Sequence, residues 1–154
     1  MKYCAPLIVV KNMDKSIEFY KSVFGLDIIE DYGANKTLTG GVSLQTLESW
    51  AGFLKKDISE INFQGNEFEL YFEEDDFDNF IENLENYDID YVHKTYEASW
   101  GQRSLRLYDP DKHIIEIGEN MKSVYNRFTD EGINDEEIAI RMDVPLSSVL
   151  KFKS

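Results

Sequence analysis

Apolar and polar residues alternate in the middle of the chain and then change to a helical spacing. Phe68–Glu73 has the period of two that is typical of a strand with one buried face. In Phe77–Leu84 the apolar residues recur at intervals of three and four, and Asp75 or Asp76 can cap that helix. Three further strand-like segments follow, at about residues 91–96, 102–108 and 113–118.

The same order of elements occurs earlier in the chain. A shift of 64 positions places Asn12 on Asp76 and Tyr20 on Leu84, so that the cap and the buried face of two helices coincide. Gly25 follows the first helix, where a glycine in the left-handed conformation commonly ends one. One such unit cannot cover its own apolar face, whereas two copies can. The sequence predicts two strand-helix-three-strand units, at about residues 3–48 and 66–120.

The segments outside the two units are predicted to be helical. Residues 49–60 carry Trp50, Phe53 and Ile58 at helical spacing, which favours a bridge between the units, with the aromatic rings in core or dimer contacts. Residues 121–154 form a helical appendix to a domain spanning residues 1–120, with a break at Gly132.

Charge argues against nucleic acid as a partner. The 154 residues carry a formal net charge of −14. Residues 67–90 alone hold eleven Asp and Glu and no Lys or Arg, whereas affinity for phosphate backbones depends on cations. A helix-turn-helix reading of the appendix is therefore disfavoured. We interpret the acidic run as a solvated face, or alternatively as an attraction for a cationic ligand.

The remaining composition predicts a single soluble domain. No apolar run approaches the roughly 20 residues that a membrane span requires, and no signal peptide is apparent, so we expect a cytoplasmic protein with no membrane partner. Cys4, the one cysteine, lies in an apolar stretch and is predicted to be a buried side chain in a strand.

Several motifs, in their order and spacing, resemble the vicinal oxygen chelate superfamily. They are the segment 10–20 ending at Phe24-Gly25-Leu26, the phrase Trp100-Gly101-Gln102-Arg103, the turn Asp109-Pro110-Asp111, and Glu116. The superfamily includes glyoxalase I, extradiol dioxygenases and bleomycin-resistance proteins. The resemblance covers residues 3–120 and implies an α+β fold of two βαβββ units, whose sheets curve into a cup with the helices outside.

The resemblance also implies where a metal would bind. Enzymes of the superfamily place ligands on the first and last strand of each unit, and these points fall on Ala5, Gln45, Glu69 and Glu116 of this sequence. Alanine cannot ligate a metal. Gln45, Glu69 and Glu116 remain as candidates, an all-oxygen set that suits Mg²⁺ or Mn²⁺ more than Zn²⁺.

Two functional hypotheses follow from the resemblance. The first is a binding protein that holds a small molecule in the cup without a complete metal site, as bleomycin-resistance proteins do. The alternative is a divalent-metal-dependent lyase, isomerase or epimerase of the glyoxalase type that uses Glu116 and Glu69 as catalytic residues. We expect Arg103 or Arg106 to neutralise the two facing carboxylates.

The predicted ligand-binding residues come from both units. His93 and His113 are excluded as ligands or bases because of their strand parity or neighbourhood. The ligand-binding residues are predicted to be Gln45, Tyr71, Trp100 and Arg103.

A homodimer is expected, since superfamily members commonly pair and an open sheet edge needs covering.

Overall fold

Each predicted repeat forms a four-stranded mixed sheet with one helix, and further helices follow the second repeat. The structure, a computed structural model, describes residues 1–153. Its contacts define two units: unit 1 comprises Met1–Phe68 and Tyr108–His113, and unit 2 comprises Glu69–Leu107 and the chain from Ile114 onward. The prediction of an α+β fold with two βαβββ repeats and C-terminal helices is confirmed.

Unit 1 contains the first sheet, with strand order β1-β4-β3-β2. The edge strand β1 pairs with β4 in parallel, and the other two pairs are antiparallel. The helix begins where the Asn12 side chain accepts a hydrogen bond from the Lys15 amide, and it ends at Gly25 with φ of 65°. The elements are β1 Leu7–Val10, α1 Met13–Phe24, β2 Ile28–Asp31, β3 Asn35–Leu38 and β4 Ser43–Thr46.

The predicted bridge at residues 49–60 is two short helices rather than one. Helix α2 (Leu47–Leu54) ends at Lys55, whose φ of 55° is left-handed and cannot continue a right-handed helix. A 3-10 helix, Ile58–Glu60, follows after Asp57, whose side chain accepts from the Ser59 amide. The prediction of a continuous helix from the apolar spacing is therefore confirmed only for the first half of the segment.

Unit 2 repeats the strand order as β5-β8-β7-β6, again with the edge strand, β5, pairing in parallel with its neighbour, β8. Asp76 caps the helix by accepting from the Asn79 amide. The β6–β7 pairing is irregular, with register shifts between Tyr91 and His93 and between His93 and Tyr96. The elements are β5 Glu69–Glu74, α3 Phe77–Leu84, β6 Tyr91–Glu97, β7 Arg103–Tyr108 and β8 Ile114–Glu119.

The C-terminal helices are part of unit 2 and have an apolar cluster of their own. They are α4 Met121–Asp130, α5 Asp135–Arg141 and α6 Leu146–Phe152. Phe128, fully buried in that cluster, also lies against the loop before β7: a Cβ added to Gly101 would lie 2.1 Å from the Phe128 ring. Arg127 donates a hydrogen bond to the carbonyl of the same glycine. Only glycine fits this contact, because residue 101 also has φ of +88°.

The prediction that Cys4 is buried in a strand is wrong. Pairing of β1 with β4 begins at Leu7 opposite Ser43, so Cys4 precedes the ladder and is exposed. Among residues 1–153, we find no helix with the length and apolar character needed to cross a membrane.

Candidate functional site

One face of the unit 2 sheet collects charged and aromatic side chains. On β5, Leu70 is buried while its neighbours Glu69 and Tyr71 point to the opposite face, as strand alternation requires. The parallel register sets Tyr71 opposite Glu116 on β8. Glu69 and Glu116 therefore share a sheet face, and both contact a third strand through Arg106.

Arg106, on β7, joins the two carboxylates. Its Nε lies 2.7 Å from Oε2 of Glu69, and its Nη2 lies 3.3 Å from Oε1 of the same residue. Nη2 also donates to Oε2 of Glu116. Of the two arginines expected to neutralise this pair, Arg106 does so. The side chains are 25% exposed for Arg106, 36% for Glu69 and 13% for Glu116, so the group is open to a ligand mainly beside Glu69.

The two carboxyls differ in acidity. The hydrogen bond from Arg106 lowers the pKa of Glu69, and this effect outweighs partial burial. Burial raises the pKa of Glu116, and its proximity to Glu69 raises it further. The hydrogen bond between Arg106 and Glu69 in turn raises the pKa of Arg106. The arrangement thus contains one firmly ionised carboxylate, one carboxyl that takes up a proton more readily, and one fixed cation.

His93 also belongs to this group, although the sequence interpretation excluded it. Its Nε2 lies 3.3 Å from Nη1 of Arg106, and its Nδ1 lies 2.9 Å from the carbonyl oxygen of Lys94. Since a carbonyl only accepts and a guanidinium only donates, these contacts fit a neutral ring with the proton on Nδ1. Strand parity misplaced His93 because the register shifts in β6 on both sides of this residue change which face its side chain reaches.

Tyr71 and Trp100 are linked by the side chain of Gln102, a residue that the sequence interpretation did not assign to the site. Gln102 is buried, and its Nε2 donates to the Tyr71 hydroxyl at 3.0 Å and to the Glu119 carbonyl at 2.9 Å. Its Oε1 accepts from Trp100 Nε1 at 3.2 Å. Both rings stay nearly half exposed, 49% for Tyr71 and 42% for Trp100. One buried amide therefore orients two exposed aromatic rings.

Gly118, on β8, makes room for this network. A Cβ at this position would lie 2.8 Å from Nε2 of Gln102 and 2.9 Å from the Tyr71 hydroxyl oxygen. The Tyr71 hydroxyl also donates to Glu73 at 3.2 Å. The aromatic part of the site thus depends on the absence of a side chain at residue 118.

Arg103 has different partners from those expected of a ligand-binding residue. Its guanidinium lies 2.9 Å from Oε1 of the buried Glu119 and 2.7 Å from Oδ1 of Asp78. Arg127 of α4 also contacts Glu119, at 3.1 Å. The hydrogen bonds from the two arginines lower the pKa of Glu119 against the opposing effect of burial. These ion pairs join β7, β8, α3 and α4, and a contact of Arg103 with a ligand remains a prediction.

In unit 1, Gln45 is buried and already has partners. Its Oε1 accepts from Asn35 Nδ2 at 2.9 Å, and its Nε2 donates to Ser49. Ala5, at the other predicted point of that unit, supplies no donor atom. The polar group around Gln45 is therefore neutral, and its role in ligand binding remains a prediction.

Comparison with known proteins supplies the family. A sequence model described as the glyoxalase-like domain matches residues 3–122. The chain belongs to this family. The resemblance to the vicinal oxygen chelate superfamily, which contains it, is thereby confirmed. No curated protein matches the chain.

Solved structures similar to the glyoxalase-like chain agree with this assignment of the fold. A protein of unknown function from Agrobacterium tumefaciens has a TM-score of 0.69 at 28% identity, covering 78% of this chain and 94% of its own. A glyoxalase/bleomycin resistance protein/dioxygenase family enzyme from Burkholderia phytofirmans has a TM-score of 0.65 at 19% identity, covering 75% and 96%. A lactoylglutathione lyase from A. tumefaciens has a TM-score of 0.57 at 21% identity, covering 78% and 94%.

The residues at the superfamily's metal points do not fit a resident divalent metal in this glyoxalase-like chain. Within unit 2 the facing oxygens of Glu69 and Glu116 are bonded to the Arg106 guanidinium, a cation that would repel a metal ion. Ala5 offers no ligand, and Gln45 is committed to Asn35 and Ser49. Residues 1–153 bring together no three His, Cys, Asp or Glu side chains that could hold a metal.

Proposed function

We propose that this glyoxalase-like chain binds a small, flat organic cation on the polar face of the unit 2 sheet, without a metal. The observation that carries the proposal is the pairing of two carboxylates with one guanidinium. Where family resemblance implies a metal, Arg106 contacts Glu69 and Glu116. With both carboxyls ionised, two acids against one base leave an excess of negative charge, in a chain whose formal net charge is −14. That excess favours a cation.

The aromatic side chains support a flat ligand. Tyr71 and Tyr96 are each nearly half exposed, and the Tyr96 ring lies 5.0 Å from the ring of His93. Exposed tyrosine faces attract organic cations and stack on planar groups. The ionised Glu69 would pair with the ligand's positive charge, and its exposure leaves room for this contact.

Ethidium, a planar organic cation whose fluorescence rises in a protected site, tests the proposal. We expect saturable binding that is unchanged by EDTA, and an affinity about three- to tenfold weaker in Glu69→Gln and in Tyr71→Ala. Glu82→Gln, which removes the same charge from the exposed face of α3, is the matched control and keeps the wild-type affinity. Equal weakening in Glu69→Gln and Glu82→Gln would show non-specific attraction to an acidic surface and would contradict the proposal.

One observation favours the alternative function, proton transfer in a lyase or isomerase of the glyoxalase type. The raised pKa of Glu116 suits a carboxyl that exchanges protons. Titration of EDTA-treated, tag-free protein with Mn²⁺ and Mg²⁺ separates the two functions. Stoichiometric binding that is lost in Glu116→Gln would support the metal-dependent enzyme, whereas absence of binding agrees with metal-free ligand binding.

A further inference from the structure

Unit 1 contains a cavity of about 520 Å³ that shares no residue with the unit 2 cluster. Its walls are residues 5–9, which lead into and include most of β1, helix α2 at Trp50, and the chain from Ile61 to Phe68, with His113 at one side. Trp50, Phe63 and Phe68 supply aromatic surface. Cavities of this size with apolar walls and few polar groups are typical of small-molecule sites.

Asp109 holds His113 in a defined orientation. The Asp109 side chain is completely buried, and its Oδ2 lies 2.8 Å from Nδ1 of His113 and 3.0 Å from the Tyr20 hydroxyl. Its Oδ1 accepts from the backbone amides of Asp111 and His113, both at 2.9 Å. Burial, together with the charge of Asp109, raises the pKa of Tyr20, so this hydroxyl keeps its proton and acts as a donor. The carboxylate therefore receives four hydrogen bonds and is fixed at both oxygens.

These contacts determine what His113 can offer a ligand. A carboxylate only accepts hydrogen bonds, so Nδ1 of His113 carries a proton, and Nε2 is an acceptor whenever the ring is neutral. The side chain remains 21% exposed and lines the cavity. The Asp109 carboxylate thus does two things, because it accepts from two backbone amides of the turn and also fixes the orientation of a histidine that lines the cavity.

The aromatic wall beside His113 is also held in place. The Phe63 ring lies 6.2 Å from the His113 ring in an edge-on arrangement, and the Lys11 ammonium lies 4.2 Å from the Phe63 centroid. The Lys11 backbone amide donates to Asp111 at 3.0 Å, which ties that residue to the same turn. The cavity thus combines an oriented acceptor with a supported flat surface.

We propose that the unit 1 cavity binds a planar, largely apolar molecule that donates one O–H or N–H to Nε2 of His113. The walls supply contact area, and the histidine selects for the donor. Glu67 also lines the cavity, and its carboxylate would likewise favour ligands that donate a hydrogen bond over ligands that only accept one. No residue of this site takes part in the proposed cation binding by unit 2, so either function can hold without the other.

The test compares 2-naphthol with 2-methoxynaphthalene, two probes of nearly equal shape of which only the first has an O–H. Binding is followed at pH 8 by calorimetry and by the imidazole ¹⁵N signals. In the wild type we expect about fivefold tighter binding of 2-naphthol, the size of one net hydrogen bond, and a shift of the His113 Nε2 signal with that probe alone. His113→Phe should lose the preference between the probes, whereas Tyr32→Phe, a change at an exposed ring of unit 1 that does not line the cavity, should keep it.

Three results would overturn the proposal. They are absence of saturable binding of either probe, equal affinity of the two probes in the wild type, and an unchanged preference in His113→Phe. If His113→Phe does not fold, the wild-type preference and the Nε2 signal decide the question without it. Trp50→Ala should weaken both probes alike, because it removes wall contacts and leaves the acceptor.

Discussion

The two repeats have the same strand order and different chemistry. Each places its first and last strand side by side as a parallel pair, β1 with β4 and β5 with β8. In unit 1 the polar residue of that pair, Gln45, is buried among neutral partners, whereas in unit 2 the pair presents Glu69 and Glu116 to an arginine. A duplicated backbone thus preserves topology without preserving a site, which is why function has to be argued from side chains.

A second difference lies in what supports each sheet. Unit 2 alone carries the C-terminal helices, whose Phe128 packs on Gly101 and whose Arg127 contacts Glu119. The family match ends at residue 122, and the compared structures cover no more than 78% of the chain. Unit 2 therefore has a support that lies outside the shared family domain.

The largest effect is expected from Phe128→Ala. This ring is fully buried, and its removal leaves a cavity both in the helical cluster and against Gly101. We expect the free energy of unfolding, measured with urea, to fall by about 3–5 kcal/mol. Phe53→Ala, which truncates a ring that is 68% exposed in unit 1, is the control and should stay within about 0.5 kcal/mol of the wild type. An equal decrease in the free energy of unfolding in the two variants would contradict the stabilising role assigned to the C-terminal helices.

Arg106→Met should have the next largest effect. It leaves two carboxylates facing each other without a cation, and we expect a loss of about 1–3 kcal/mol at pH 7 in urea unfolding. Arg106 lowers the pKa of Glu69, so its contribution is present at neutral pH and is lost as the pH falls through the folded-state pKa. The difference in free energy of unfolding between Arg106→Met and the wild type should therefore be smaller at pH 4 than at pH 7. Lys56→Met, which breaks an exposed ion pair with Glu60, should change stability by no more than about 0.5 kcal/mol at either pH.

Glu69→Gln and Glu116→Gln should change stability with opposite dependence on pH. The lowered pKa of Glu69 means that its charge stabilises the folded state at neutral pH. Because this side chain is 36% exposed and screened by solvent, Glu69→Gln should cost no more than about 0.5–1 kcal/mol at pH 7, and less at pH 4. The raised pKa of Glu116 means that the folded state prefers its protonated form. The stability of Glu116→Gln relative to the wild type should therefore increase as the pH rises, because ionisation of Glu116 destabilises only the wild type. Urea midpoints at the two pH values test this, and parallel trends would contradict the assigned acidities.

The smallest effect belongs to Cys4. Because this thiol is exposed ahead of β1, Cys4→Ser should shift the free energy of unfolding by less than about 0.5 kcal/mol. A thiol reagent such as DTNB should modify Cys4 in the folded protein at the rate of a free thiol. Slow modification that accelerates only on unfolding would show that the residue is covered.

Local rules were enough to predict most of the fold. The caps at Asn12 and Asp76 and the stop at Gly25 each depend on one side chain and its nearest amides, and all three are found. The predicted break at Gly132 is also found, between the end of α4 and the start of α5. The left-handed residue Lys55 was not predictable, because no glycine marks it.

The candidate site was predictable only where strands are regular. The shared face of Glu69 and Glu116 follows from alternation along β5 and β8, which pair without a register shift. His93 was misplaced because β6 is irregular, and irregularities of this kind have no reliable signature in a single sequence. Gln102 and the pairing of His113 with Asp109 depend on contacts between distant elements, which periodicity does not describe.

The strand order of the second sheet has a consequence for synthesis of the chain. The last strand of this sheet to be synthesised, β8, lies between β5 and β7. Leu70 of β5 pairs with Ile115 of β8, so the chain between them must leave the ribosome before the two strands can meet. Until then β5 lacks its neighbour in the sheet, and the carboxylate of Glu116 is not yet available to Arg106. A nascent chain that stalls before this insertion would expose β5 and lack the ion pair between Glu116 and Arg106, so a single late step completes both the strand pairing and the ion pair.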